Sequence, residues 1–319
     1  TGRPERGPAY GKTTVPHSSF IVHHSEDWPT YRNNAARSGS TAATVPPKLQ
    51  PGWRTNLGGR LTSLTAAGGR VYVARTDAHT VFALDVESGD VAWSRTVGGP
   101  VDSPPTISRG LAVFGCRDGW VYCLRASDGV LVWRSRAAPA DRLIVAHGAI
   151  ESAWPVHGSV LVRDGLVWCA AGRSSYLDGG IRLSALDLES GQPKVLKTLD
   201  ARDVQSWPST PKGGRRFAGN RIPGTLPDVL STSGDLLYMG WTGFDLQGNL
   251  ADVSKPHLFS ATGFLDDSWW HRTYWQYGTW MRGGFGGWPQ AARQVPAGRL
   301  LVVGDGALYG FGRSKYDVG

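Results

Sequence analysis

The sequence predicts an all-β fold, a β-propeller of four-stranded blades. Three observations carry that prediction: the composition, a period of forty residues, and the strand-and-turn pattern inside each period. The 319 residues include 43 Gly, 20 Pro and 14 Trp, with 19% charged residues and two Met. That is poor material for long helices and good material for short strands joined by tight turns. Repeats then decide how such strands are organised.

Shifted by forty residues, Trp53-Arg-Thr-Asn-Leu-Gly-Gly59 falls on Trp93-Ser-Arg-Thr-Val-Gly-Gly99, and Ser63 falls on Ser103. The same shift carries Val81–Trp93 onto Val121–Trp133, with Leu84 on Leu124, Gly89 on Gly129 and Trp93 on Trp133. Each unit reads as short β-branched or aromatic runs closed by Gly, Asp or Ser: Val71-Tyr72-Val73, then Val81–Leu84, then a Ser-Gly-Asp turn, then Val91–Trp93. Trp53 belongs to a strand ending an earlier blade. Asp118-Gly119 predicts a two-residue hairpin turn, which sets Cys116 opposite Val121 and Cys123 opposite Phe114. Four short strands per period make a propeller blade.

A third copy starts at Val156-His157-Gly158-Ser159. It has Leu166-Val167-Trp168 as first strand, Ala185–Gly191 matching Ala83–Gly89, and Val195 in place of the tryptophan. Farther on, Asp235–Met239 and Arg299–Val303 repeat the first-strand pattern, and Gly304–Phe311 resembles Arg117–Leu124. About six blades are therefore represented, of a ring that has seven or eight when complete. Residues 1–26, rich in Gly, Pro, Arg and Ser, are expected to be an extended arm that orders only against a neighbouring surface. Residues 27–319 are expected to be the incomplete propeller, with inserted loops near 138–154, 172–180 and 200–230.

The motif Ala-Leu-Asp-x-x-Ser-Gly-x-x-x-Trp at Ala83–Trp93, and its near copy Cys123–Trp133, resembles the pyrroloquinoline-quinone (PQQ)-like repeat of quinoprotein dehydrogenases and of non-catalytic propellers of outer-membrane assembly. The resemblance implies that each Trp docks on the neighbouring blade and each Gly turns the chain between strands. The segments Asp27–Gly39 and His257–Trp275 look like parts of large PQQ-binding-like propellers of Planctomycetes, which implies an envelope, periplasmic or secreted location. Quinoprotein dehydrogenases of this family also carry adjacent cysteines over the quinone and a Ca²⁺ held by carboxylate and amide oxygens. Here Cys116, Cys123 and Cys169 are far from adjacent, and no Asp-rich loop of the kind a hard cation needs is present. No catalytic residue, metal or cofactor is expected; PQQ with Ca²⁺ is what an enzyme reading would require.

The chain carries a formal charge of +8, scattered along its length, which suits either a plain basic surface or an acidic partner. It has no apolar run long enough to span a bilayer. It also has neither an initiator Met nor a signal-peptide core, so it is expected to be a processed or excised segment. The most chemically loaded stretch is Asp266-Asp267-Ser268-Trp269-Trp270-His271-Arg272-Thr273-Tyr274-Trp275. Asp266, Asp267, Trp270, His271, Arg272 and Trp275 read as an inter-blade polar and aromatic core, as a pocket for a sugar or small ligand, or as a catalytic group in which paired carboxylates beside a His do acid and base chemistry or hold a metal. Glu151, flanked by His147 and His157, lacks a third spaced ligand for a metal.

The expected function is a non-catalytic binding or scaffolding propeller of a cell-envelope or secreted assembly. Its partner is a protein or a further segment that completes the ring. Two alternatives stand beside it: a quinone-dependent or carbohydrate-active enzyme using the channel, and a module for anionic polymers, with acidic glycan the better match and nucleic acid the weaker.

Overall fold

The computed structural model describes residues 3–12, 27–146, 148–200, 229–260, 263–264, 275–279 and 296–311. The described elements are strands, apart from one 3-10 turn at Thr76–Ala78. Blade one comprises β2 (Thr65–Ala67), β3 (Arg70–Arg75), β4 (Thr80–Asp85) and β5 (Val91–Thr96), hydrogen-bonded in that order. Blade two comprises β6 (Thr106–Ser108), β7 (Leu111–Gly115), β8 (Trp120–Arg125) and β9 (Leu131–Arg136), extended outward by β1 (Glu5–Arg6). A separate hairpin, β10 (Leu143–Ala146) and β11 (Ala149–Ser152), occupies the first inserted loop. Blade three runs β12 (Leu161–Arg163), β13 (Leu166–Ala171), β14 (Ile181–Asp187), β15 (Pro193–Leu199), and blade four β16 (Leu230–Ser233), β17 (Leu236–Met239), β18 (Thr242–Phe244), β19 (Leu250–Ala251). Three strands, β20 (His257–Ser260), β21 (Trp275–Gly278) and β22 (Ala297–Gly298), and a final pair, β23 (Leu300–Gly304) and β24 (Ala307–Phe311), follow.

The first strand of each blade lies innermost. β2 neighbours β6, β6 neighbours β12, and β16 neighbours β20, while a parallel bridge joins Ser159 to Val229 between blades three and four. Burial follows the same gradient: every residue of β7 is buried, whereas β5 keeps only Trp93 covered. Short strands with wholly buried middles and half-wet outer edges are what a blade sandwiched between two others requires.

The period exists because it builds a joint between blades. The indole N–H of Trp93 donates to the Ala126 carbonyl at 2.9 Å, and that of Trp133 to Leu188 at 2.9 Å. Each acceptor stands three residues before a glycine, Gly129 and Gly191, whose φ is +70° and +69°. The tryptophan ring lies so close over that glycine that an added Cβ would sit 2.6 Å from ring carbon in both cases. Glycine is needed twice over, for the left-handed turn and for the contact. An Asp opens the Gly191 turn and the equivalent turn at Gly89: Asp187 accepts the amide of Ser190, and Asp85 those of Glu87 and Ser88. Behind each tryptophan the partner strand offers a small residue, Ala83 to Trp93 and Cys123 to Trp133, beside a recurrent β-bulge. Cys123 thus stands in an alanine position. Val195 faces Ala185 in the same register, and it approaches Gly248 of blade four.

Two expectations are corrected. Trp53 lies in irregular backbone, because no described strand lies alongside it to complete a ladder, although its indole still donates to Val86 at 2.8 Å above Gly89. The hairpin at Asp118 has a three-residue loop. Gly119 N–H donates to Cys116 and Cys116 N–H to Trp120, and only Gly119 of the loop adopts positive φ, +87°, the geometry of a type I turn with a glycine bulge. The register moves by one, so Cys123 pairs with Val113 and Gly115 with Val121. All three cysteines are free and buried.

Candidate functional site at the propeller axis

The inner strands leave one edge of each blade facing the axis, and the segment 27–40 fills that space. Trp28 forms a two-way antiparallel bridge with Ala66 of β2. Pro29 accepts the Ile107 amide of β6, Ala35 that of Thr232 in β16, and Ser38 that of Val303 in β23, at 2.7, 3.0 and 2.9 Å. One segment therefore satisfies amides from four sheets, which would otherwise be unpaired inner edges. It does so by turning sharply: Arg32, Asn33, Arg37 and Gly39 all have φ between 56° and 76°, a conformation that non-glycine residues keep only when the surroundings hold them.

Arg37 is the centre of this arrangement. It is fully buried and donates only to oxygens without formal charge: Nε to Leu230 at 3.0 Å, Nη1 to Thr30 Oγ1 at 2.7 Å and Tyr31 O at 2.8 Å, and Nη2 to Ser159 O at 3.3 Å and Val160 O at 3.1 Å. Thr106 Oγ1 donates to Val160 O at 3.0 Å, so in the 2.9 Å contact between hydroxyls Thr30 donates to Thr106. The result is a closed cycle from guanidinium to Thr30, Thr106, Val160 and back, spanning blades two and three, with a further arm to blade four. Desolvation pulls the Arg37 pKa down to about 10, still far above neutral pH, so the cation persists. Tyr31 beside it is pushed upward by burial against the opposing pull of Arg32 and Arg37.

Arg32 extends the plug to the last sheets. Its guanidinium lies 4.0 Å from the centre of the Trp275 ring, donates to Leu301 O, and holds the turn through Arg37 O at 2.8 Å. Trp275 is buried in β21 and meets Tyr31 with ring centres 6.3 Å apart and planes tilted by 36°. Of the aromatic and acidic stretch singled out from the sequence, Trp275 alone lies among the described residues; Asp266, Asp267, Trp270, His271 and Arg272 lie outside them. Trp275 joins the axial segment.

A second polar cluster sits between blades one to three. Arg117 makes a fork to Asp102 at 2.6 Å on both oxygens and reaches Glu151 at 3.2 Å. Glu151 is also bound by Arg173, so its carboxylate is already paired with two guanidinia; of its flanking histidines, His157 is buried and His147 lies outside the described residues. Among the described residues no group of three His, Cys, Asp or Glu comes together. Burial pushes the Cys169 thiol up to about 12 and those of Cys116 and Cys123 well above their usual range, leaving them protonated and unreactive at neutral pH. At the rim, a cleft of about 300 Å³ is lined by Pro139, Trp154, Asp178, Gly180, Arg182 and Thr198.

The sequence drew attention to the Asp27–Gly39 stretch only as a likeness; Thr30, Arg32 and Arg37 were not recognised as a site. The available signal was the turn-forming pairs Asn33-Asn34 and Ser38-Gly39, each directly after an arginine, Arg32 and Arg37, in an otherwise strand-rich chain.

Comparison with known proteins agrees with this architecture. A family model described as outer membrane protein assembly factor BamB matches residues 35–207. BamB of Burkholderia pseudomallei is 29% identical over 161 residues, 50% of this chain and 37% of the relative, and BamB of Yersinia pestis 35% identical over 97 residues, 27% and 23%. The chain spans 18 to 37% of the length of the curated relatives it matches. Among solved structures, the quinohemoprotein alcohol dehydrogenase of Comamonas testosteroni superposes with a TM-score of 0.53 at 18% identity, over 71% of this chain and 40% of the enzyme. The europium-containing methanol dehydrogenase superposes with a TM-score of 0.53 at 16% identity, over 72% and 48%. At such identities these two share the fold. With more than half its length inside the matched model, the chain belongs to the PQQ-like propeller family that this model describes.

Proposed function

We propose that this chain is a non-catalytic scaffolding propeller of the cell envelope, one whose axis serves cohesion instead of cofactor binding. The observation that carries the reading is the plug. The space that a quinone on the axis would need is taken by residues 28–38, hydrogen-bonded to four sheets and centred on buried Arg37. The described residues do not suit the quinone or its Ca²⁺ either. Asp102 and Glu151, buried acids near the inner strands, are neutralised by arginines, and no two of the three buried cysteines are adjacent in the chain. The curated relatives are named as outer-membrane protein assembly factors, which supports an envelope setting and a protein partner. The largely exposed outer strands β5 and β15 fit a body that presents its rim to that partner.

The test is a titration of the purified chain with PQQ in millimolar Ca²⁺, followed by desalting and absorbance, with dye reduction by primary alcohols and aldoses as the activity arm. The reading predicts no retained chromophore and no turnover. Stoichiometric quinone after desalting, or quinone-dependent dye reduction, overturns it.

A further inference from the structure

Blade two differs from the other described blades by carrying a fifth strand. β1 pairs with the outer edge of β9, Glu5 opposite Arg134 and Arg6 opposite Trp133, although a four-stranded blade is already complete without it. Among the described residues, the outer strands β5, β15 and β19 have no such addition.

The contact is specific along its length. Glu5 meets Arg134 at 2.6 Å. Gly7 N–H donates to Val132 O at 2.8 Å and Ala9 N–H to Leu131 O at 3.1 Å. At Gly7 a Cβ would fall 2.1 Å from the Leu131 carbonyl oxygen, so backbone meets backbone and no other residue fits. Past it the chain turns, Tyr10 N–H to Gly7 O at 3.1 Å, and inserts Ala9, 1% exposed, into the cluster around Trp133. Tyr10 closes over that cluster and stacks under Arg6, 4.4 Å from its ring centre. Main-chain bonds supply affinity, while a charge pair, an obligatory glycine and a small apolar anchor supply selection. That division of labour characterises peptide recognition by strand addition.

We propose that the outer edge of β9 is a strand-docking site for the sequence Pro4-Glu-Arg-Gly-Pro-Ala-Tyr10, occupied in cis by the chain's own arm and in trans by the same segment of a second copy. Only the 14 residues 13–26 separate the docked segment from the axial plug in the sequence, a separation that gives the segment a local concentration of about the millimolar range. The cis arm therefore holds the site in an isolated molecule, and exchange between copies costs no contact, since each copy gives and receives the same strand. The inference is independent of whether the axis binds a quinone.

The experiment uses a fluorescein-labelled peptide of residues 3–12 as the trans segment, titrated by anisotropy onto three proteins: the intact chain, the chain lacking residues 1–12, and the intact chain carrying Gly7→Val, whose own arm cannot seat. The expected result is saturable one-to-one binding to the two open forms and at least tenfold weaker binding to the intact chain. A Gly7→Val peptide is expected to lose at least tenfold on either open form. A Glu5→Arg peptide loses several-fold and recovers on an open form carrying Arg134→Glu. If the truncated chain does not fold, the Gly7→Val chain is the acceptor. Absence of saturable binding to the folded open form, or equal binding of the Gly7→Val peptide, overturns the proposal and makes the arm a packing element of its own blade.

Discussion

The blades of this protein are joined in two unlike ways, at the rim and at the axis. At the rim, a tryptophan from one blade caps the glycine turn of the next, and the joint repeats with the same three-residue spacing at Trp53, Trp93 and Trp133. At the axis nothing repeats: one segment and one buried arginine bridge oxygens far apart in sequence, from Thr30 to Leu230. Rim joints are apolar, modular and tolerant of degradation, as Val195 shows by occupying a tryptophan position in a blade that still forms four strands. The axial joint is polar and all-or-none, because removal of one cation leaves several buried acceptors unpaired at once. A propeller assembled this way can vary its blades without losing its centre.

Breaking the axis is expected to cost most. Arg37→Met removes the guanidinium's hydrogen bonds to Thr30, Tyr31, Ser159, Val160 and Leu230 at once, and urea unfolding is expected to show a loss of about 4 kcal/mol. A loss under 1 kcal/mol would erase the distinction between the two joints. The rim series sharpens it. Trp133, Trp93 and Trp53 are 0%, 8% and 37% exposed, so Trp133→Ala is expected to cost about 3–5 kcal/mol, Trp93→Ala somewhat less and Trp53→Ala about 1 kcal/mol. Equal losses would show that neighbouring blades and the docked arm do not grade the joint.

The smallest expected effect is a pH dependence confined to the axial side. His257, in β20, is buried against Tyr238 with ring centres 3.6 Å apart, and desolvation lowers its pKa below 6.5. A histidine kept neutral in the folded state contributes nothing to pH dependence above the unfolded value. Below about 6.5 the unfolded chain takes up the proton first, so stability falls as pH drops. Melting temperature is expected to decline between pH 7.5 and 5.5, and His257→Phe to flatten that decline.

The same contrast explains what could be read from the sequence. The rim joint is local and periodic, so Gly89, Gly129, Trp93 and Trp133 announce themselves by aligning with each other, as do Leu84 and Leu124 in the adjoining strands. Gly59 and Gly99 align too, and each lies where an added Cβ would press on Asp77 or Asp118 of the next turn. Blade four was harder to see because its turn, Asp245 to Gly248, is one residue shorter and its last strand has two residues. The axial segment was invisible in kind: Arg32 and Arg37 pair mostly with main-chain oxygens, and an oxygen of the main chain leaves no mark on residue identity. The hairpin at Asp118 was misread by one residue because an Asp-Gly pair serves both two-residue and three-residue turns, and only the bulge at Gly119 separates them.

The central claim is that residues 28–38 fill the axis as part of the folded body, and amide hydrogen exchange resolved by peptide tests it most directly. The bridges at Trp28, Ile107, Thr232 and Val303 predict that peptides covering 28–38 and the inner strands β6, β16 and β23 exchange as slowly as β8 and gain protection from one another, so that Arg37→Met releases all of them together. Rapid exchange of residues 28–38 in a protein whose β8 remains protected would contradict the account.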